Sequence, residues 1–128
     1  MDYLIHRNLP VFVQICDNIR KDIFSGALPA DAQIPSVRQL AVELSANPNT
    51  VQKALAQLEA EGLLYTKRTI GRFVTSNRAS IEAAEKKTKR LALERVLSDA
   101  YAMGITRQDI LDYLREEGTE NEHTDSIL

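Results

Sequence analysis

This 128-residue chain has few of the residues that form cross-links and metal centres. It contains one cysteine, Cys16, and two histidines, His6 and His123, which lie far apart in the sequence. A single cysteine excludes a disulfide within the chain, and these three residues cannot supply a zinc centre. We therefore expect no metal, no cofactor and a fold that is stabilised by packing.

Long apolar runs and targeting signals are also missing from the sequence. No stretch reaches the roughly 18 apolar residues of a membrane span, and the N-terminal residues lack the charged and apolar regions of a signal peptide. Hydrophobic residues make up 44% of the chain and charged residues 27%, as in water-soluble globular proteins. We expect no membrane partner and a cytoplasmic location.

The net charge is small and negative, and it is unevenly distributed. A formal charge of −2 argues at first against a nucleic-acid partner, because domains that bind nucleic acids are often basic. Residues 1–79, however, hold nine Lys and Arg against seven Asp and Glu, whereas residues 80–128 hold seven against eleven. The densest basic stretch contains Lys67, Arg68, Arg72 and Arg78. This segment offers a place where a phosphate backbone can dock.

Apolar residues at spacings of three and four predict a first helix after Pro10, ended by Gly26. Cys16 falls on the apolar side of this helix. Because its helical neighbours are apolar and no base lies near it in the sequence, we assign it to the core and give it no functional role.

Two further helices joined by a tight turn are predicted next. The first begins at Ser36, whose hydroxyl can cap it while Gln39 reaches back, and it stops near Ser45. The second begins at Asn47, another capping residue, and ends at Gly62. This spacing is typical of a helix-turn-helix.

The period of the pattern changes after these helices. Strand-forming residues at 63–66 and 72–75 flank a turn that contains Gly71, which predicts a β-hairpin. Helical character returns over residues 80–104 and again over 106–117.

The predicted fold is therefore mainly α with a small β-hairpin. A winged helix-turn-helix domain occupies residues 1–78, and a two-helix dimerisation hairpin with a frayed tail occupies residues 79–128.

The helix that follows the tight turn carries the candidate DNA-reading residues. Short polar side chains in its first turn can reach base edges in the major groove while its other face packs in the core. These residues are Asn47, Asn49, Thr50, Gln52 and Lys53. Arg38 and the basic hairpin can hold the flanking backbone. The alternative is that Asn47 only caps the helix and its neighbours form a solvated face.

The stretch IPSVRQLAVELSANPNTVQKALAQLEAEGLLYT resembles the N-terminal domain of GntR-type bacterial transcription regulators. The likeness runs from about Val11 to Val74, and NPNTVQKAL with a short C-terminal part is most similar to the YtrA subfamily. The resemblance implies binding to double-stranded operator DNA, with the hairpin wing in the neighbouring minor groove. The positions that it assigns to operator DNA are Arg38, Asn47, Asn49, Thr50, Gln52 and Lys53. Ser36 and the basic wing residues Lys67, Arg68 and Arg72 complete our set of candidate DNA-binding residues.

Two departures from the family pattern are visible in the sequence. Asp31 stands where glycine is usual, which is acceptable because Asp can adopt a left-handed conformation. In the wing, Thr69 and Arg72 replace the first glycine and the threonine of the usual G-x-G-T-F-V. A β-branched residue at a tip that requires positive φ is strained, so we expect this wing to bend differently. The sequence leaves open whether it enters the minor groove.

Residues 80–118 are too few to enclose a ligand cavity of roughly 300 Å³. Thr106 and Asp109 start the second helix of this segment in a capping-box pattern, and the polar tail 119–128 is expected to fray. The apolar stripe needs a partner, and a two-fold homodimer would bury it. The candidate dimerisation residues are Leu91, Val96, Leu97, Ala100, Ile110 and Leu114. The alternative is that the stripe packs on the first helix of its own chain.

These features favour a dimeric repressor that competes with RNA polymerase at a palindromic promoter site, and the resemblance implies control of an adjacent transporter operon. The alternative is a winged-helix adaptor that binds proteins and has no specific DNA site. An enzyme is not expected, because the sequence offers no phosphate loop, metal-ligand cluster or nucleophile beside a base. No residue identifies an effector or the operator sequence.

Overall fold

The computed structural model describes residues 1–120 of the chain, and side chains as far as Gly118. It contains five helices and two strands over these residues. They are α1 (Val11–Ser25), α2 (Val37–Leu44), α3 (Pro48–Ala60), β1 (Leu64–Lys67), β2 (Gly71–Val74), α4 (Arg78–Ala102) and α5 (Arg107–Glu120). The mainly helical architecture with one hairpin that the sequence predicted is confirmed.

Two compact units divide the chain, the first Met1–Thr88 and the second beginning at Lys89. This division lies ten residues beyond the predicted boundary at residue 78. The reason is that the first turns of α4 belong to the core of the first unit, where Ile81 is 4% exposed and Ala84 packs beside it.

The core of the first unit is built from the inward faces of the first three helices. Ile15 and Ile19 of α1, Leu40 of α2, and Val51 and Leu55 of α3 have no exposed surface. Within a helix these residues lie three or four positions apart, which is the spacing that predicted the helices from the sequence. Cys16 is also buried in this core, as predicted, and burial raises the pKa of its thiol to about 11.

The hairpin of the first unit is antiparallel, with Leu64 opposite Val74 and Lys67 opposite Gly71. Its turn is the three residues 68–70, closed by a hydrogen bond from Ile70 N to Lys67 O at 3.1 Å. The prediction that Gly71 lies in the turn is wrong by one position, because Thr69 supplies the positive φ and Gly71 already pairs with Lys67 as the first residue of β2.

The second unit contains the rest of α4 and α5, with Gly104 at φ +87° between them. The predicted capping box is confirmed in both directions: Thr106 N donates to Asp109 Oδ2 at 2.9 Å, and Asp109 N donates to Thr106 Oγ1 at 3.0 Å. Gly118 does not end α5, which continues to Glu120. Most of the predicted frayed tail, residues 121–128, lies outside the described residues.

Candidate DNA-binding surface

The first turn of α3 is shaped by its cap. Asn47 has extended backbone angles, and its side-chain Oδ1 accepts a hydrogen bond from Asn49 N at 2.8 Å. Pro48 occupies the first helical position, where a missing N–H has no cost. The capping role predicted for Asn47 is therefore confirmed, and its amide oxygen is already engaged.

The polar residues that follow the cap face outward. Asn49, Gln52 and Lys53 are exposed, and Thr50 is half-buried, while Val51 on the opposite side has no exposed surface. Within residues 1–120, the side chains of Asn49, Gln52 and Lys53 take part in no hydrogen bond or ion pair. They are thus available to an external partner.

The turn between α2 and α3 has the hydrogen bonds of a helix C-cap that reverses the chain. Ser45 adopts a left-handed conformation at φ +50°, and Ala46 N donates to Ala41 O at 2.9 Å. A left-handed residue at this position lets α3 begin with only three residues, 45–47, between it and the end of α2. The helix-turn-helix geometry follows from this one torsion.

The start of α2 contributes two more of the predicted residues. Ser36 Oγ accepts from Gln39 N at 3.1 Å, as predicted. The Gln39 side chain does not reach back, and donates instead to Glu43 Oε1 at 3.3 Å. Arg38 is exposed, and its guanidinium makes no hydrogen bond or ion pair with another of the described residues.

The three basic residues of the wing differ in how far they are engaged. Lys67 Nζ lies 4.7 Å from the centroid of the Phe73 ring, and Arg68 is exposed at the turn. Arg72 is mostly covered, with its Nε 3.7 Å from Glu59 Oε2 of α3. The buried Nε of Arg72 has no hydrogen-bond acceptor among the described residues. Lys67 and Arg68 are therefore freer than Arg72.

The residue at the wing tip has the positive φ that the sequence predicted, which is strained for a β-branched side chain. Thr69 itself adopts φ +63°, and its hydroxyl donates to Arg68 O at 2.6 Å. Gln33 Nε2 donates to Ile70 O at 3.0 Å, which fixes the turn from outside the hairpin. Threonine is thus accommodated at a positive φ, and the different bend of this wing from those of its relatives stays a prediction.

The segment before α2 runs along β2 and forms one wall of a groove. Asp31 N donates to Val74 O at 2.8 Å, and Ile34 N donates to Arg72 O at 3.0 Å. A groove of about 410 Å³ separates this segment and the start of α2 from the wing. It brings together Ser36 on one wall and the predicted wing cations Lys67 and Arg72 on the other.

Residues 12–74 match the family model described as bacterial regulatory proteins, gntR family. The chain is 31% identical over 108 residues to the HTH-type transcriptional repressor YtrA of Bacillus subtilis, covering 84% of this chain and 83% of that protein. The chain belongs to the GntR family. Because the YtrA alignment spans 108 residues and the family model covers only residues 12–74, the likeness extends beyond the family model, and the chain is a YtrA-like GntR regulator.

Solved structures place the same fold on DNA. A GntR family transcriptional regulator from Listeria monocytogenes superposes with a TM-score of 0.74 at 30% identity, over 88% of this chain and 98% of that one. AraR(DBD), solved in complex with operator ORE1, superposes with a TM-score of 0.50 at 27% identity, over 59% of this chain and 94% of that one. The chain is therefore a DNA-binding transcriptional regulator, and its relatives are named as regulators rather than as enzymes.

The turn at Asp31 has the backbone conformation that the sequence predicted. Asp31 has φ +64°, so the aspartate does adopt the left-handed conformation of the usual glycine, and its carboxylate accepts from Tyr65 Oη at 2.7 Å. Within residues 1–120 no helix combines the length and apolarity needed to cross a bilayer. The sequence pattern did not predict roles for Glu59, Gln33 and Arg7. Glu59 pairs with Arg72, Gln33 donates to Ile70 O and Arg7 donates to Ser45 O, all across more than ten residues of the chain.

Proposed function

We propose that this GntR regulator is a repressor that acts as a homodimer on a palindromic operator. The observation that carries the proposal is the likeness to the Bacillus subtilis repressor YtrA, which spans most of both chains. A repressor of this kind occupies its promoter site and so competes with RNA polymerase. We place it in the cytoplasm with the DNA, and we propose that it controls an adjacent transporter operon.

The second unit supports the homodimer, because it presents apolar surface with nothing to cover it within one chain's described residues. Leu91, Val96 and Leu114 are 50%, 63% and 58% exposed. The remaining candidate dimerisation residues, Leu97, Ala100 and Ile110, are half-buried. Apolar surface of this extent is typical of a contact with another molecule, and a two-fold pair uses the same surface twice.

A two-fold dimer carries two recognition helices related by the same axis. Such a pair fits two half-sites about 34 Å apart, or a multiple of that distance, so the operator is expected to be palindromic. We assign Asn49, Gln52 and Thr50 to base edges and Lys53 to the adjacent backbone. Asn49, Gln52 and Lys53 are exposed and unengaged at the start of α3, and Thr50 is half-buried beside them.

We assign contacts with the DNA phosphate backbone to residues on either side of the groove between α2 and the wing. Arg38, Lys67 and Arg68 offer exposed cations, and the start of α2 offers Ser36 and the positive end of a helix dipole. Arg72 joins them only by exchanging Glu59 for a phosphate.

Selection of bound duplexes from a random DNA pool tests the proposal most directly, together with the mass of the free protein by analytical ultracentrifugation. We expect a palindrome and a dimer. An Asn49→Ala variant should cost about 1–3 kcal/mol at one base pair of each half-site, whereas Arg68→Ala should weaken all sequences alike. Equal affinity for selected and scrambled duplexes would contradict the proposal and favour an adaptor that binds protein.

A further inference from the structure

The segment before α1 is held against α1 at two points. Gln14 of α1 accepts from His6 N through Oε1 at 2.8 Å and donates through Nε2 to His6 O at 2.7 Å and to Leu9 O at 3.2 Å. Further along α1, Tyr3 Oη donates to Asp22 Oδ2 at 2.5 Å. Residues 1–10, named here the N-terminal arm, therefore have a defined course along α1.

This arm extends one side chain to the helix-turn-helix. Nη2 of Arg7 donates to Leu44 O at 3.1 Å and to Ser45 O at 2.8 Å. These are the carbonyls at the end of α2, where helical carbonyls lack partners within the helix and carry the negative end of its dipole. A guanidinium is well suited to such a place because it is always charged and carries several donors.

The residue that Arg7 binds is the one on which the turn depends. Ser45 has φ +50°, a conformation that favours glycine and that side-chain-bearing residues adopt only when the surroundings hold them there. Asn47, the cap of the recognition helix, follows two residues later. A change in the Ser45 torsion therefore rotates the first turn of α3 relative to α2.

We propose that Arg7 is a positioning residue for operator recognition: it holds Ser45 in the left-handed conformation and so sets the direction in which Asn49 and Gln52 meet the bases. The proposal rests on DNA binding by α3. Arg7 lies before residues 12–74, so the family match assigns it no role.

Arg7 positions the turn but is not needed to form the core, because the core is built from other residues. The packing of α2 on α3 is provided by Leu40, Leu44, Val51 and Leu55, all with 4% exposure or less, whereas Arg7 is an exposed residue outside this core. Loss of the Arg7 guanidinium therefore leaves the core in place while releasing the turn. We therefore expect loss of the Arg7 guanidinium to lower DNA affinity more than it lowers the stability of the fold.

The test uses the full chain and two duplexes of equal length, the one selected from a random pool and its scrambled counterpart. Arg7→Ala should weaken binding to the selected duplex by about tenfold and binding to the scrambled duplex by less than about twofold. Lys21→Ala is the matched control, since it removes an exposed cation of α1 that no described residue engages. It should leave the ratio of the two affinities unchanged.

A second variant tests the route through Ser45. Glycine adopts positive φ without help, so Ser45→Gly should restore most of the selective affinity that Arg7→Ala loses. If Arg7→Ala alone fails to fold, Ser45→Gly and the double variant decide, and they must bind the selected duplex within about twofold of each other. Arg7→Lys, which keeps the charge, should retain part of the selectivity.

Three results would overturn the proposal. One is an unchanged selected-to-scrambled ratio in Arg7→Ala. Another is an equal loss on both duplexes with a salt dependence reduced by about one phosphate contact, which would make Arg7 a direct backbone ligand. The third is a loss that Ser45→Gly leaves unchanged. The selectivity of the unaltered protein tests operator binding itself, so failure of that function is distinguishable.

Discussion

Arg20 of α1 and Glu61 at the end of α3 form a two-point ion pair, with Nε to Oε1 at 2.8 Å and Nη2 to Oε2 at 2.5 Å. The side chains are 18% and 23% exposed, and Arg20 also contacts Asp17 at 3.0 Å. The hydrogen bonds from Arg20 hold the pKa of Glu61 below its ordinary value. This pair joins α1 to the end of α3.

Glu61→Gln is expected to lower the free energy of unfolding by about 1 kcal/mol at pH 7, because a partly solvated ion pair contributes modestly. A carboxyl whose pKa is lowered in the folded state stabilises the fold above its ordinary pKa of 4.5, and this stabilisation is lost as the pH falls through the lowered value. Urea unfolding of both proteins between pH 7 and acid should show their stabilities converging. Glu82→Gln, at an exposed pair, serves as the control. A difference that is constant with pH would be inconsistent with the ion pair.

Glu59→Gln is expected to tighten binding to every duplex. Glu59 draws Arg72 away from solvent at 3.7 Å, and its negative charge lies beside the wing. The Thr66 hydroxyl donates a hydrogen bond to Glu59 Oε1. The glutamine side chain keeps an oxygen that can accept this bond, so the hairpin should remain intact. We expect about a threefold gain on selected and scrambled DNA alike, with a steeper salt dependence, measured by fluorescence anisotropy. A gain on the selected duplex alone would argue that Glu59 affects base reading instead.

Thr69→Gly and Gly71→Ala are expected to change stability in opposite directions. A φ of +63° is strained for threonine and relaxed for glycine, so glycine there should raise the free energy of unfolding by about 0.5 kcal/mol. Gly71 has φ +142°, and an added Cβ would lie 2.9 Å from Gln33 Nε2, so alanine should destabilise by about 1 kcal/mol or more. Thermal unfolding measures both effects. Equal stability of the two variants would contradict the hairpin geometry described here.

Val96→Glu combined with Leu114→Glu is expected to give a monomer. Both side chains are exposed in the second unit, and a charge placed in an apolar two-fold contact is repeated in the partner. Sedimentation should show half the mass of the unaltered protein, and operator affinity should fall because two linked half-site contacts become one. Leu4→Glu, at a residue 77% exposed in the first unit, is the control. A double variant that stays dimeric would place the interface elsewhere.

Much of the fold could be predicted because its signals are local. Helix periodicity, the caps at Ser36 and Asn47, and the capping box of Thr106 with Asp109 each depend on residues within about four positions of one another. The candidate DNA-reading residues of α3 follow from the same pattern, because an exposed first turn opposite a buried face can be read from spacing alone. The left-handed Asp31 was likewise predictable from the turn preference of aspartate.

The sequence by itself therefore determined the helices, the hairpin and the exposed face of α3. Only the tertiary structure decided which polar side chains hold that face in place. Arg7 reaches Ser45 across 38 residues and Arg20 reaches Glu61 across 41, and Arg72 is drawn to Glu59 instead of to solvent. Side-chain pairs at such separations leave no periodic signal, because they form only after the core has brought their helices and strands together.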